Sequence, residues 1–352
     1  MEHTTDVLGS TRDQFEAAAV GLPGGAGAAR RLYAAAFGDG TFAPQTFLPS
    51  AHATAWRARF GVTLPTVTAR HSEPAEHGTT EKVALRAPDG LEYECVRIPM
   101  GRGRETVCVS TQVGCGMACR FCETARMGRL RDLAAAEIVA QVVLARACLG
   151  WRPTHVVFMG MGEPLDNVGA VVQALRVLAE RGGLGYAHDR LTVCTVGRRE
   201  GLAALAALGW KRLNLSVSLN AADDELRTRL MPANRTLPLA DLQAELARYR
   251  PRRNFCLGIH WCLMPGINDS RRDAARLAAF CAPLGRVLVH LIPYNPGTHP
   301  LTRAPGEAEI VRFVRWLRDE GLAVRRRVTK GRSVMAACGQ LGNLALRRAS
   351  ST

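Results

Sequence analysis

From Thr106 onward the sequence alternates short strand-like runs with helix-period stretches, and this alternation limits the fold more than any other feature. Candidate strands cover residues 106–112, 155–159, 190–196, 212–219, 255–264 and 286–292, with helical periodicity between them at 133–147, 168–180 and 273–280. Repeated βα units predict a parallel sheet with helices packed outside it. Six strands are too few to close an eight-stranded barrel, so the expected fold is α/β, a partial (β/α)6 barrel with its site at the carboxyl ends of the strands. No solenoid period is present.

The first hundred residues read differently. Alanine-rich helical stretches at 13–20, 28–37 and 51–60, the first two separated by Gly21-Leu22-Pro23-Gly24-Gly25, predict a helical accessory domain over 1–70. Lys82-Val83-Ala84-Leu85 and Tyr93-Glu94-Cys95-Val96-Arg97-Ile98 flank an Asp89-Gly90 turn, which predicts a β-hairpin linker over 71–105. The barrel and its C-terminal segment then occupy 106–352.

A formal charge of +15, with lysine only at Lys82, Lys211 and Lys330, makes the chain basic through arginine. The guanidinium fork suits phosphate, and a basic excess suits nucleic acid. A general exchange of lysine for arginine explains the residue choice equally well, but not the net charge. The excess is densest in Arg312, Arg315, Arg318, Arg325, Arg326, Arg327, Lys330, Arg332, Arg347 and Arg348. Glu2 and Asp6 near the start, without an apolar core region, predict no secretory signal. No run approaches the roughly 18 apolar residues of a membrane span. The expected location is cytoplasmic.

Eleven cysteines without an export signal argue against a disulfide framework and for metal ligation, redox chemistry or core packing. Cys148, Cys256, Cys262 and Cys281 lie among apolar neighbours and are expected in the core. Cys115-Gly116-Met117-Ala118-Cys119-Arg120-Phe121-Cys122 is different: C-x3-C-x2-C directly after the first predicted barrel strand. Iron–sulfur clusters are usually held by four thiolates. Three thiolates leave one iron open to a chelating amino acid. A structural zinc ion would need a fourth ligand, and no histidine lies near this loop.

Further along, Gly160-Met161-Gly162-Glu163-Pro164 follows the second predicted strand. Its glycines would let backbone approach a ligand, and Glu163 would meet an ammonium group; a plain turn is the alternative. Taken alone, Cys338 reads as a structural thiol, Cys108 as a strand residue facing the core, Glu94 as a solvated hairpin carboxylate and Asn295 as a loop cap.

The cysteine loop resembles that of radical S-adenosylmethionine (SAM) enzymes. The resemblance extends over essentially the whole chain to the RlmN/Cfr family, which methylates an adenine carbon of 23S ribosomal RNA. It is carried by Val107-Cys108-Val109-Ser110-Thr111-Gln112-Val113-Gly114-Cys115, Phe158-Met159-Gly160-Met161-Gly162-Glu163-Pro164, Leu291-Ile292-Pro293-Tyr294-Asn295-Pro296 and Ala336-Ala337-Cys338-Gly339-Gln340-Leu341. The resemblance implies a 4Fe-4S cluster on Cys115, Cys119 and Cys122. It implies SAM, two per turnover, held by Gly162, Glu163, Cys194, Ser218, Leu219, Asn220 and Asn295. It also implies that Cys338 carries a methyl group as S-methylcysteine, which a radical activates for addition to the base. Cys108 then releases product by forming a disulfide with Cys338, and Glu94 accepts the ring proton.

The implied partners are ribosomal RNA, with transfer RNA as a further candidate, and an electron donor such as flavodoxin or ferredoxin. The expected state is a monomer without membrane contact. Carbon 2 of adenine is preferred to carbon 8 on Cys122-Glu123-Thr124-Ala125.

Several positions depart from the family pattern. Glu123 stands where a small residue is usual, Cys194 where serine is usual, and Asn220 where histidine is usual. Gly331-Arg332-Ser333-Val334-Met335 lacks the usual acidic pair. These departures keep two other readings in view: the same chemistry on a small molecule or peptide, and a non-catalytic RNA-binding relative. Retention of all five thiols counts against the second.

Overall fold

The computed structural model describes residues 4–343; Arg347 and Arg348 lie outside the described residues. Ten strands form one sheet. The first three, β1 (Thr66–Ala75), β2 (Gly78–Arg86) and β3 (Glu92–Gly101), run antiparallel into β4 (Arg104–Cys108). From β4 the sheet continues in parallel through β5 (His155–Phe158), β6 (Leu191–Thr195), β7 (Asn214–Ser218), β8 (Leu257–Leu263), β9 (Val287–Pro293) and β10 (Val324–Arg326). The six expected strands are all in the sheet, and a seventh parallel strand, β10, extends it at the edge. Val324–Arg326 is too short to show a period, and its pairing with Val289–Leu291 supplies what its sequence does not.

The first barrel strand also differs from expectation. It ends at Cys108, and Gln112–Gly114 pairs instead with Arg129–Asp132 in a separate antiparallel ribbon. Gly114 (φ 77°) makes this turn: a Cβ there would sit 1.8 Å from the Gly128 carbonyl oxygen, so only glycine lets the ribbon close. The ribbon holds the start of the cysteine loop, because the Cys115 amide donates to that same oxygen at 2.8 Å. The hairpin is present, with Leu85 opposite Tyr93. It is no linker, however, since it continues the barrel sheet.

Helix α2 (Gly25–Asp39) packs on the outer helix α5 (Ala135–Ala147), the Val7–Gly9 turn packs on both α5 and α6 (Val168–Ala179), and α1 (Arg12–Ala18) packs on α2; α3 (Ser50–Arg59) and the short α4 (Glu123–Arg126) complete the first six helices. Phe15, Leu32, Tyr33 and Trp56 are buried in the same hydrophobic cluster as Val139, Val143 and Leu175. At about 25 cal/mol per Å2 of apolar surface, such shared burial stabilises both parts together. Among the described residues, no helix is long and apolar enough to cross a membrane.

Candidate active site

The loops after the parallel strands enclose a cavity of about 170 Å3. Cys115, Cys119 and Cys122 line it together, with Gly162, Glu163, Cys194, Ser218, Asn220 and Cys338. Ala118 adopts a left-handed conformation (φ 53°) between the first two thiols. Burial pushes the Cys115 thiol up to about 12, and raises Cys119 and Cys122 as well. Unliganded, these are neutral thiols; becoming thiolates in this setting requires a cation in place of the protons. No three His, Cys, Asp or Glu side chains among the described residues close on one point as a single ion would require. The all-thiol donor set suits an iron–sulfur cluster.

Glu163 is 3% exposed. Its carboxylate accepts from the Leu165 amide (3.0 Å), the Thr195 hydroxyl (2.6 Å) and the Val196 amide (2.9 Å). Burial raises its pKa to about 7 against these three bonds, and no lysine or arginine pairs with it among the described residues. A buried carboxylate so placed fits an ammonium ligand. The glycines beside it, which both line the cavity, have a further task. A Cβ on Gly160 would meet the Val109 carbonyl oxygen at 2.7 Å, and one on Gly162 (φ 100°) would meet Gln112 at 2.6 Å. They allow close packing against the chain leading to Cys115.

Leu219 does not face the cavity: it is fully buried, and its carbonyl accepts from Arg227 at 3.2 Å. Asn220 (φ 58°) does line it, while its Oδ1 accepts from the Cys262 amide at 2.8 Å. Cys194 lies 3.5 Å from the Ser218 hydroxyl and 3.4 Å from His260 Nδ1. Asn295 sits beside the cavity. Its Oδ1 accepts from Arg332 (3.0 Å) and its Nδ2 donates to the Cys338 carbonyl (3.4 Å).

Cys338 is exposed to the cavity, with protein close enough on all sides to raise its thiol pKa and Arg327 opposing that rise. Cys108 is buried near it and feels its charge. The Cys338 segment is fastened at many points. Glu73 accepts from the Gly331 amide (2.8 Å) and the Ser333 amide (2.7 Å) and from the Ser333 hydroxyl. Thr124 donates to the Leu341 carbonyl at 2.6 Å, and Gln340 to the Pro296 carbonyl at 2.9 Å.

Glu123, the unexpected residue after the third cysteine, joins three parts. Its amide donates to the Gly339 carbonyl at 2.8 Å, and its carboxylate accepts from the Thr298 amide (3.0 Å) and hydroxyl (2.7 Å).

Glu94 is placed apart from the thiols. It is buried, not solvated: Lys82 Nζ lies 2.9 Å away and the Gly342 amide donates to it at 2.8 Å. It lines a separate groove of about 560 Å3 with His71, Arg86, Met161 and Met335. The Cys338 segment forms a wall of both spaces, since Cys338 and Gly339 line the cavity while Met335 and Gly342 line the groove.

One other expectation needs correction. Cys148 and Cys256 are exposed, not core, and Cys262 lines the cavity. Arg326 is engaged by Glu307, 2.7 Å at its second contact. Arg327 is half-buried and acts on Cys338, His260 and His290.

Sequence reading also missed two residues of the site. Arg227 is 2% exposed beneath Cys119 and donates to the Val196 carbonyl at 2.7 Å and to Asn234 at 2.6 Å. His260 stands next to Cys194. Two-residue alternation with Cys262 along β8 was the available signal for it.

Residues 109–278 match the model of the radical SAM superfamily. A probable dual-specificity RNA methyltransferase RlmN 1 of Protochlamydia amoebophila is 40% identical over 79% of this chain and 77% of its own. The dual-specificity RNA methyltransferase RlmN of Syntrophotalea carbinolica is 41% identical over 81% of this chain and 74% of its own. The crystal structure of a radical SAM methyltransferase from Sphaerobacter thermophilus superimposes with a TM-score of 0.87 at 34% identity, covering 96% of this chain and 99% of that one.

Proposed function

This chain belongs to the RlmN family of radical SAM methyltransferases, and from that premise we propose that it methylates an adenine carbon of 23S ribosomal RNA, carbon 2 in preference to carbon 8, with transfer RNA as a second substrate. The family uses a 4Fe-4S cluster and SAM, which when bound supply a methyl group and the radical that activates it. In this chain Cys115, Cys119 and Cys122 would hold the cluster, and Glu163 the cofactor's ammonium group. Gly162, Cys194, Ser218 and Asn220 would line the cofactor's side of the cavity.

The observation that carries the reading is that Cys338 lines the cavity holding the three loop cysteines, with Cys108 buried close enough to feel its charge. Cys338 is positioned to accept and carry the methyl group, held there by Glu123, Asn295 and Gln340. Cys108 would attack the Cys338 sulfur and free the product, leaving a disulfide between the two. The groove on the other face of the Cys338 segment is large enough for a nucleobase. A base entering it would meet the Glu94 carboxylate, which Lys82 keeps in place as the proton acceptor. Reaching a stacked base requires a nucleotide that is extruded or already unpaired. A cytoplasmic location and a flavodoxin- or ferredoxin-type electron donor complete the proposal.

The test is anaerobic incubation of reconstituted protein with protein-free 23S RNA fragments and transfer RNA, read by mass spectrometry of the nucleosides. Methyladenosine should form at one position. An S-methyl group on Cys338 with neither RNA modified would overturn the RNA assignment in favour of a small-molecule or peptide substrate.

A further inference from the structure

At the amino ends of the parallel strands, opposite the cavity, lies a groove of about 380 Å3 between the N-terminal helices and the end of α6. Its walls combine arginine with stacked rings. Arg12 comes from the first turn of α1, Arg176 from the last turn of α6, and Arg181 from just beyond it. His188 and Trp210, in the loops entering β6 and β7, stack with ring centroids 3.7 Å apart and planes 7° from parallel. Arg176 and Arg181 are exposed, and neither has an ion-pair partner among the described residues. Arg12 Nε is buried without a hydrogen bond, 3.6 Å from Glu16. The groove has one lining carboxylate, Glu180, which accepts from the Gly182 amide at 3.1 Å.

We propose that this groove is a second RNA-docking site, taking phosphodiester groups on Arg12, Arg176 and Arg181 and an unpaired base against the Trp210–His188 stack. The proposal rests on the RNA reading above, and it adds a contact remote from the chemistry. Guanidinium groups beside an aromatic platform, two of them (Arg176 and Arg181) without an ion-pair partner among the described residues, are the combination that single-stranded nucleic acid requires: the charges track the backbone and any base can stack. Arg176 alone would be explained by the negative carbonyl end of α6. Arg181 and Arg12 lie outside that explanation, and so does the ring pair. The five-residue strands β6 and β7 put roughly 17 Å of barrel between the groove and the cavity. A long structured RNA wraps around that distance, whereas a short stem-loop of about four base pairs, roughly 14 Å long, does not.

The test measures binding of the full-length, cluster-reconstituted protein to a long 23S fragment across salt concentrations. R176A/R181A should weaken binding about tenfold and lower the salt slope by about 1.4–1.8, the value for two lost phosphate contacts. Trp210→Ala should weaken binding about fivefold or more with the slope unchanged, and Trp210→Phe should restore most of it. Iron content, SAM cleavage and methylation of Cys338 should stay at wild-type levels in every variant, and a short stem-loop should bind all of them alike. If Trp210→Ala fails to fold, the arginine pair decides. Wild-type affinity and slope in R176A/R181A would overturn the second site while leaving the methyltransferase reading intact. Failure of the wild-type protein to methylate RNA would overturn that earlier reading instead.

Discussion

Cys115, Cys119 and Cys122 reach the cavity on one short loop, whereas Cys338, which lines it, and Cys108, buried nearby, come from elements at opposite ends of the barrel sequence. The loop is set locally, by the Gly114 turn, the ribbon beneath it and the amide bond from Cys115 to Gly128. The pair is set by long-range fastening: Glu73, Glu123, Thr124 and Gln340 each tie the Cys338 segment to a distant part of the chain. Local spacing suffices to bind a cluster. A reaction that hands a carbon atom from one thiol to a substrate and then breaks the link needs two thiols that approach independently of the cluster.

The largest test of this contrast removes a loop thiol. Cys119→Ala should leave the reconstituted protein without its complement of about four irons and without SAM cleavage, since two thiolates cannot hold the cluster. Stoichiometric zinc in the wild-type chain after anaerobic reconstitution would contradict the assignment.

Removing the remote thiols should spare the cluster and stop methylation in two distinguishable ways. Cys338→Ala should load no methyl group on the protein. Cys108→Ala should load it and then accumulate a covalent protein–RNA adduct, visible as a band that RNase shortens. If both variants lose iron, the pair supports the cluster and the two thiol sets are not separate.

Glu123 tests the fastening between the two sets. Glu123→Ala leaves the Thr298 amide without its acceptor, at a cost of about 1–3 kcal/mol, and loosens the loop that faces Cys338. Methylation should fall about tenfold, equivalent to about 1.4 kcal/mol in the barrier, with SAM cleavage changed by less than about twofold. Equal losses in both activities would place Glu123 with the cluster loop alone.

What the sequence made legible follows the same division. Strand–helix alternation and C-x3-C-x2-C are local patterns, and both appear where expected. Short-range patterns also mislead when a neighbour overrides them. Residues 106–112 have the composition of one strand, but Gly160 and Gly162 press against the chain there and redirect it after Cys108. The apolar neighbours of Cys148 and Cys256 suggested burial, yet both lie at the ends of elements, where the chain turns outward. Glu94 and Glu123 look like surface carboxylates because their partners, Lys82, Gly342 and Thr298, come from other segments. No short window of sequence contains Gly342 with Glu94 or Thr298 with Glu123, and the Lys82–Glu94 pair is visible only once the hairpin register is known. Their roles became visible only through the family resemblance or through the coordinates.

The last expected effect concerns Glu163, which belongs to neither thiol set and lines the cavity beside them. Burial raises its pKa to about 7 from an ordinary carboxyl value of 4.5. The native state therefore keeps a proton between about pH 4.5 and 7 that the unfolded chain has released. In that window the native state binds more protons, so the stability of the ligand-free chain falls as pH rises through it. A cationic ligand requires the ionised form, so affinity moves the opposite way. Binding of S-adenosylhomocysteine, which retains the ammonium group but cannot donate a methyl group, should tighten about tenfold per pH unit up to about 7 and then level off. Calorimetric titration between about pH 5.5 and 8 reads this directly. 5′-Deoxyadenosine, without the ammonium group, should show no such slope, and Glu163→Gln should flatten the profile at its weak end. A flat profile in the wild-type protein would mean that Glu163 is held by Thr195 and Val196 for packing alone, leaving the ammonium group to another partner.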